Sequence, residues 1–582
     1  MSATTYPAAA LGRRLPNAWD IAAILCVVGL LVGLASEARS TFAPISALSH
    51  DAISLDPAYL PDYAARTTLR MFAALAFSLL FTFTFATFAA KSRRAGLIMI
   101  PLLDILQSVP ILGFLTFTVV FFMSLFPGRV MGLELAAIFA IFTSQAWNMA
   151  FSLYQSLKTL PPDLVEAADA FRLSPWQRFW RLDVPFAVPG LVWNTMMSMS
   201  GAWFFVVASE AVSIGDNTFK LPGIGSYVQV ALDAGDIRAV GYAIVAMLVV
   251  ILAYDQLLFR PLVAWSSKFR FELTAGAITA DPWMLRLIRR TRLLRLAGQW
   301  VGGLVDQATG LRLALWRRPR ASAGPARPSR IGDVVFGIVV VLVVFYAGWQ
   351  IARFVATPAP KSPPLGWADV LTTLRLGSYT LLRVVILMVA ATVIWVPIGV
   401  WLGLRPTWAR RAQPLAQFLA AFPANLFYPP FVVAILYFHL NTNIWLTPLM
   451  VLGTQWYILF NVIAGAAAFP GDLQEAAENF QVGGWLWWRK VMIPGIFAYY
   501  VTGAITASGG SWNAAIVAEV VSWKGTQLSA AGLGAYIAQA STDADMKRVV
   551  LGVTVMSVYV LLLNRLVWRR LYAYAARRLT FS

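Results

Sequence analysis

The sequence predicts an all-α polytopic membrane protein built as two tandem six-helix halves, with twelve transmembrane helices in all. Three observations carry this expectation. The 582 residues are 59% hydrophobic and 13% charged, with a mean hydropathy of +0.68, whereas a soluble domain is nearer one quarter charged. Apolar runs recur along the whole chain, and twelve spans of about 20 residues account for roughly 240 residues and most of the apolar excess. The second half also repeats the first. This composition argues against a soluble enzyme.

In the first half the apolar runs fall at about 19–35, 69–90, 97–126, 131–155, 187–211 and 240–260. The second set falls at about 332–355, 376–403, 414–438, 446–468, 495–521 and 546–568. The first run follows Arg13 and Arg14 and precedes Ser36-Glu37-Ala38, a small-x-small pattern that also fits signal-peptide cleavage. The long polar flank and the eleven later spans favour a retained helix.

The net charge of +19 is placed by loops rather than gathered into a nucleic-acid surface. One topology puts Arg13, Arg14, Lys91, Arg93, Arg94, Arg405, Arg410, Arg411, Arg569, Arg570, Arg577 and Arg578 on the cytoplasmic side. It also puts there the 263–331 stretch, with 13 Lys or Arg against 3 acidic residues. Residues 36–66, with Asp51, Asp56 and Asp62, and 213–237, with Asp216, Asp233 and Asp236, then face outward, so both termini are expected inside. The expected domains are 1–262, a basic cytoplasmic linker at 263–331, and 332–582. Within the linker, 316–330 is rich in Arg, Ala, Gly and Pro, as suits a connecting segment. Cys26 is the only cysteine and His50 and His439 the only histidines, so internal disulfides and multi-cysteine metal sites are excluded. Both histidines read as surface residues.

Internal similarity supplies the strongest organisation. A shift of 309 residues carries Trp147 to Trp456, Pro161 to Pro470, Asp163 to Asp472, and Glu166-Ala167-Ala168 to Glu475-Ala476-Ala477. It continues through Phe171 and Phe480, Trp176 and Trp485, Pro185 and Pro494, Gly201 and Gly510, Trp203 and Trp512, and Glu210 and Glu519. Gly223, Gly225 and Tyr227 fall on Gly532, Gly534 and Tyr536. Upstream, Thr67-Thr68-Leu69-Arg70 matches Thr372-Thr373-Leu374-Arg375 at a shift of 305, while Pro101 and Pro110 match Pro414 and Pro423 at 313. Two parallel halves of this kind pack about an axis along the membrane normal, with a path between them.

Between the fourth and fifth spans of each half lies a polar segment of about 25 to 30 residues. Asp163 and Glu166 have the spacing of a capping box, repeated by Asp472 and Glu475. The paired alanines favour helix and leave a low surface for close approach. A second short helix is expected over 174–182, with Ser174 as cap and Trp176, Phe179 and Trp180 as its apolar face, before a turn at Pro185. One such segment fits an interfacial amphipathic helix. Two at equivalent places fit a pair of docking helices for two equivalent partners.

These residues resemble the Glu-Ala-Ala loop of binding-protein-dependent ABC transporter permeases. The family pattern continues with a glycine six residues after the Glu and a Leu-Pro-like pair near the end. Here those places hold Arg172 and Val184-Pro185, then Gln481 and Ile493-Pro494. Leu106-Gln107-Ser108-Val109-Pro110, Trp203…Glu210…Gly223-Ile224-Gly225 and Trp512…Glu519…Gly532-Leu533-Gly534 look like the nitrate, sulfonate and taurine branch. The resemblance covers about 67–262 and 372–570. It implies two fused importer permease domains in a bacterial inner membrane, two cytoplasmic ATPase subunits and an outside substrate-binding protein. It implies ATPase docking through Glu166, Ala167, Ala168, Trp176 and Pro185, and again through Glu475, Ala476, Ala477, Trp485 and Pro494. No Gly-rich run ends in Gly-Lys-Ser or Gly-Lys-Thr, so ATP and magnesium are expected on the partner ATPase, and no cofactor on this chain.

A major-facilitator-like secondary transporter also has two parallel six-span halves. The loop Lys91-Ser92-Arg93-Arg94 lacks that family's Asp-Arg and Gly-rich signature. For the pathway, Asp104 in the third span is a candidate whose repeat counterpart is Gln417. Glu210 and Glu519 read either as gates or acceptors for backbone groups, or as snorkelling carboxylates. A carboxylate facing an anion repels it, so neither is expected to be a ligand. Trp203 and Trp512, with Ser213 and Ser522 further along, either line the path or fill the core.

Overall fold

The computed structural model describes residues 53–108, 111–214, 217–269, 291–311, 330–357, 364–422, 424–467, 471–523 and 526–578, together with 44, 283, 284, 286 and 469. The first expected span, Cys26, His50 and most of the 316–330 segment lie outside this set.

The described chain is helical throughout, apart from two short hairpins. In the first half the elements are α1 (Leu60–Lys91), α2 (Arg93–Ser108), α3 (Ile111–Leu125), α4 (Val130–Lys158), α5 (Pro162–Ala170), α6 (Pro175–Arg178) and α7 (Val184–Glu210). A hairpin of β1 (Ala211–Ile214) and β2 (Asn217–Lys220) follows, then α8 (Ile224–Ala234), α9 (Ile237–Tyr254) and α10 (Arg260–Ser266). Helix α11 (Arg292–Gly310) lies in the linker stretch between the halves, and α12 (Arg330–Ala356) covers the first expected span of the second half. The second half holds α13 (Trp367–Gly403), α14 (Pro406–Ala421), α15 (Tyr428–Tyr437), α16 (Trp456–Ala467), α17 (Gly471–Asn479), α18 (Gly484–Trp487) and α19 (Ile493–Ala518). It ends in β3 (Val520–Trp523), β4 (Thr526–Ser529), α20 (Leu533–Thr542), α21 (Met546–Leu563) and α22 (Arg569–Arg578).

Eight described helices are long and apolar enough to cross a membrane: Pro57–Lys91, Val130–Lys158, Pro175–Glu210, Ile237–Ser266, Gly337–Ala356, Trp367–Gly403, Gly484–Ala518 and Met546–Ala575. The protein is thus polytopic. Two expected spans differ from continuous helices. The 97–126 run is described as α2 and α3, with Val109 and Pro110 outside the described residues, while the 414–438 run divides between α14 and α15, with Phe422 extended just before Pro423. Proline lacks the amide a helix needs and pushes the residue before it toward extended backbone. The 446–468 run forms a 3-10 turn at Thr447–Met450 and the short α16.

Four π-helical turns sit inside the long helices, at Phe179–Asp183, Asp255–Phe259, Trp488–Met492 and Asn564–Trp568. They pair at the shift of 309, as do the hairpins and every element from α5 to α9 with its counterpart from α17 to α21. The expected turn at Pro185 is therefore absent: the helix runs from Pro175 to Glu210 through a π turn. The extra residue of that turn shifts the hydrogen-bond register just ahead of the proline, whose missing N–H would interrupt a strict α ladder. Pro494 repeats this two residues after its own π turn.

By contacts the chain divides into two units. One gathers Met1–Phe42, Ser152–Asn194 and Ala253–Arg327. There α11 occupies part of the basic linker, which sequence reading treated as a plain connection. The other unit gathers Ala43–Phe151, Thr195–Leu252 and Pro328–Ser582. Trp203, Trp512, Tyr227, Met71, Met149 and Met199 are fully buried there. Helices approach closely where side chains are small: a Cβ on Gly503 of α19 would come within 2.6 Å of the Tyr457 carbonyl oxygen of α16. The two sequence halves meet within this unit. The Ile111 N–H donates to Asn513 Oδ1 at 2.6 Å, and a Cβ on Gly113 would lie 2.7 Å from Val553 Cγ2.

Candidate functional site

The two Glu-Ala-Ala segments fold alike, each within its own unit. Helix α5 starts at Pro162 with Pro161 at the N-cap position and no side-chain cap. Asp163 is therefore inside the first turn and makes no capping box, a correction to the sequence expectation. Proline suits the first helical position because the amide there needs no helical partner. In the second copy α17 starts at Gly471, so Asp472 is likewise inside the helix.

Each helix ends in the same way. Arg172 N–H donates to the Asp169 carbonyl at 3.0 Å and Leu173 N–H to the Ala168 carbonyl at 3.1 Å. Gln481 N–H and Val482 N–H make the matching bonds to Glu478 and Ala477, each at 2.9 Å. This is a Schellman ending, which requires a left-handed residue. Arg172 has φ +49° and Gln481 φ +53°. The positions where the family pattern has glycine thus keep glycine's conformation without glycine.

The capping box of the first copy lies on the second helix instead. Ser174 Oγ accepts from Gln177 N–H at 3.2 Å, and Gln177 Oε1 accepts from Ser174 N–H at 3.0 Å. Within each segment Ala168 and Ala477 are buried, while Glu166, Ala167 and Glu475 are exposed and Ala476 is half-buried. Pro185 and Pro494 are half-buried at the head of α7 and α19. Phe171 is 79% exposed and Phe480 82%, at equivalent places. Both were visible as a repeated pair in the sequence but not as surface anchors.

The tryptophans divide. Trp176 donates its indole N–H to the Ala308 carbonyl at 2.7 Å, and Gln177 Nε2 donates to the Gly310 carbonyl at 2.8 Å. These are carbonyls of the last turn of α11, which lack helical partners. Trp485, the counterpart of Trp176, is 73% exposed.

At the far ends of α7 and α19 stand two buried carboxylates. Glu210 is wholly buried. Its Oε1 accepts from Arg70 Nη1 at 2.7 Å and Thr67 Oγ1 at 2.8 Å, and its Oε2 accepts from Gly225 N–H at 2.6 Å. The Glu210 carbonyl takes Leu221 N–H at 2.8 Å and Ser226 Oγ–H at 2.7 Å, closing the hairpin onto α8. Arg70 also donates Nε and Nη2 to Glu134, at 2.6 and 2.7 Å.

Glu519 repeats the arrangement. Its Oε1 accepts from Arg383 Nη1 at 2.8 Å and Thr380 Oγ1 at 2.9 Å, and its Oε2 from Ala535 N–H at 3.1 Å. Arg383 turns its other nitrogens toward Asn443, at 3.3 Å from its carbonyl and 3.4 Å from its Oδ1. The glycines follow from this crowding: a Cβ on Gly223 or Gly532 would run into the carboxylate oxygens of Glu210 or Glu519. By role, Thr67 and Arg70 match Thr380 and Arg383 at a shift of 313, so the 305 match to Thr372–Arg375 is corrected.

Every oxygen of both carboxylates accepts a bond, which makes them acceptors for neighbouring groups rather than snorkelling side chains. Thr67, Arg70, Glu134, Thr380, Arg383 and Asn443 were not singled out from sequence as site residues. Trp203 and Trp512 are wholly buried, as a core position requires. The backbone of Asp104 lies in α2, and its side chain, like those of Ser213 and Ser522, lies outside the described residues. His439 is exposed, with φ +50°.

Comparison with known proteins agrees with this duplicated plan. The chain is 29% identical over 93 residues to the bicarbonate transport system permease protein CmpB of Synechocystis sp., covering 16% of this chain and 31% of that protein. It is 28% identical over 169 residues to the glycine betaine/carnitine transport permease protein GbuB of Listeria monocytogenes, covering 29% and 54%. It is 26% identical over 145 residues to the nitrate import permease protein NrtB of Leptolyngbya laminosa, covering 25% and 47%. The chain thus spans between about a third and about half the length of each of these relatives. The profile of one family matches twice, over residues 70–260 and 395–581. The chain therefore belongs to the family described as the binding-protein-dependent transport system inner membrane component, carried here in two copies.

Proposed function

We propose that this chain is the membrane-spanning permease pair of an ATP-driven importer, fused into one polypeptide. The observation that carries the reading is the duplicated Glu-Ala-Ala segment. Each copy presents an exposed glutamate and an exposed phenylalanine on a short helix fixed by a Schellman ending. Each leads through a π turn into the long helix that ends in a buried carboxylate.

In this reading α5 and α17 dock two separate cytoplasmic ATPase subunits, which bind ATP and magnesium. Both termini and the segments then lie on the cytoplasmic side, and the hairpins with their carboxylates on the outer side. In the second half, 35 helical residues run from Gly484 to Ala518, about 50 Å at 1.5 Å per residue. A push at one end is carried along a stiff rod to the other. The bonds around Glu519 fix the outer end of α19 to α13 and α20, so the second half moves as a block rather than deforming locally, and those around Glu210 tie the outer end of α7 to α1 and α8 in the same way. That makes the two glutamates positioning residues for the gate.

The substrate is a small inorganic or organic anion delivered by an external binding protein. The bicarbonate and nitrate relatives favour an anion, while the betaine relative widens the class. The test is uptake into proteoliposomes holding this chain and its ATPases. Uptake of an anion that requires the binding protein supports the reading. Uptake at full rate without ATP or the binding protein overturns it.

A further inference from the structure

The linker helix α11 has an apolar face that nothing in its own unit covers. Leu296, Trp300 and Leu304 are 55%, 76% and 56% exposed. Their spacing of four residues places them along one face, with Gln299 and Asp306 about 100° and 120° round the helix from Trp300. A soluble helix that left such a stripe open would lose the burial that drives helix formation in water.

Two further observations select the occupant. Residues 282–305 contain Arg286, Arg289, Arg290, Arg292 and Arg295 and no acidic residue. The C-terminal end of α11 is bonded to Trp176 and Gln177. Those residues stand in the first turn of the membrane-spanning helix Pro175–Glu210, so that end of α11 is tied to the same end of the span as the first Glu-Ala-Ala segment. An apolar stripe with an exposed tryptophan, in a chain segment rich in arginine and tied to one end of a span, has the features of a helix lying in the plane of an anionic lipid surface.

We propose that α11 is an in-plane anchor that seats Trp300 and Leu304 in the headgroup region of an anionic leaflet. It holds the second helix of the first Glu-Ala-Ala segment to that surface through Trp176 and Gln177. The second segment, with Trp485 exposed, has no such tether among the described residues. The two docking segments are then unequal: one is anchored to lipid, the other free to follow its partner.

The test uses the full chain with its only cysteine removed as Cys26→Ser. Single cysteines are introduced as Gln299→Cys, Trp300→Cys, Leu304→Cys and Asp306→Cys, then labelled with an environment-sensitive fluorophore. All four sites are exposed, and retention as a monodisperse peak in detergent confirms folding. The labelled chains are reconstituted into phosphatidylcholine vesicles with or without phosphatidylglycerol. Nitroxide-bearing lipids are expected to quench labels at 300 and 304 several-fold more than labels at 299 and 306, with the contrast shrinking when phosphatidylglycerol is omitted. Equal quenching at all four sites, iodide quenching of all four without nitroxide quenching, or protection of 300 and 304 only when the ATPase is added would each overturn the anchor.

Discussion

Glu134 and Asn443 occupy equivalent places 309 residues apart, and each meets the arginine that also holds the buried carboxylate of its half. Arg70 therefore balances two carboxylates where Arg383 balances one. Removing a partner from a buried ion pair costs about 3–5 kcal/mol, because a charge is left unpaired. Arg70→Ala is expected to destabilise the chain in that range, and Arg383→Ala by less. Thermal unfolding of the detergent-solubilised variants, followed by loss of the monodisperse species, checks the order. Equal losses would mean that Glu134 shares little in the pairing.

The glycines facing the carboxylates give a sharper steric prediction. A methyl group at Gly223 or Gly532 has no room beside Glu210 or Glu519. Gly223→Ala and Gly532→Ala should each destabilise by about 1–3 kcal/mol, the usual cost of overpacking. Gly298, with open space around its Cβ position, is the control, and Gly298→Ala should leave the melting temperature unchanged or raise it.

Arg172 and Gln481 hold a left-handed conformation that costs a non-glycine residue about 1–2 kcal/mol. Replacing either with glycine relieves this strain but adds freedom to the unfolded chain, worth about 0.4–1 kcal/mol in the other direction. Arg172→Gly and Gln481→Gly are therefore expected to slow amide exchange at Leu173 and Val482 modestly. Faster exchange would show that the side chains matter more than the backbone.

The register of the repeat was legible in the sequence from Trp147 onward, because Glu-Ala-Ala, the prolines and the glycines are spaced without a gap. The carboxylate partners were not. The tetrapeptide at 372–375 imitates Thr67–Arg70 closely, yet it lies eight residues before Thr380 on the same helix, and only the fold says which threonine and arginine reach Glu519. The hairpins were hidden because Ala211–Ile214 and Val520–Trp523 are short apolar runs continuous with a span. A π turn leaves little trace either: a proline follows three of the four by two residues, but Arg570 stands at that place after the last.

Trp176 and Trp485 separate the tether from the docking surface. Trp176→Phe removes the indole donor to Ala308 and is expected to cost about 1 kcal/mol, the net worth of one hydrogen bond. It should speed protease cleavage within 263–331 under native conditions. Trp485→Phe should not. Cleavage unchanged by Trp176→Phe would remove the bond from the linker's attachment.

The central claim is that one chain serves two ATPases through its two Glu-Ala-Ala segments. Glu166→Lys or Glu475→Lys is expected to lower substrate-stimulated ATP hydrolysis while the chain still inserts, and the double change to abolish transport. The most direct measurement is the mass of the intact detergent-solubilised complex. The account predicts one 63.9 kDa chain with two ATPase subunits, whereas a complex with a single ATPase, or with two copies of this chain, would contradict it.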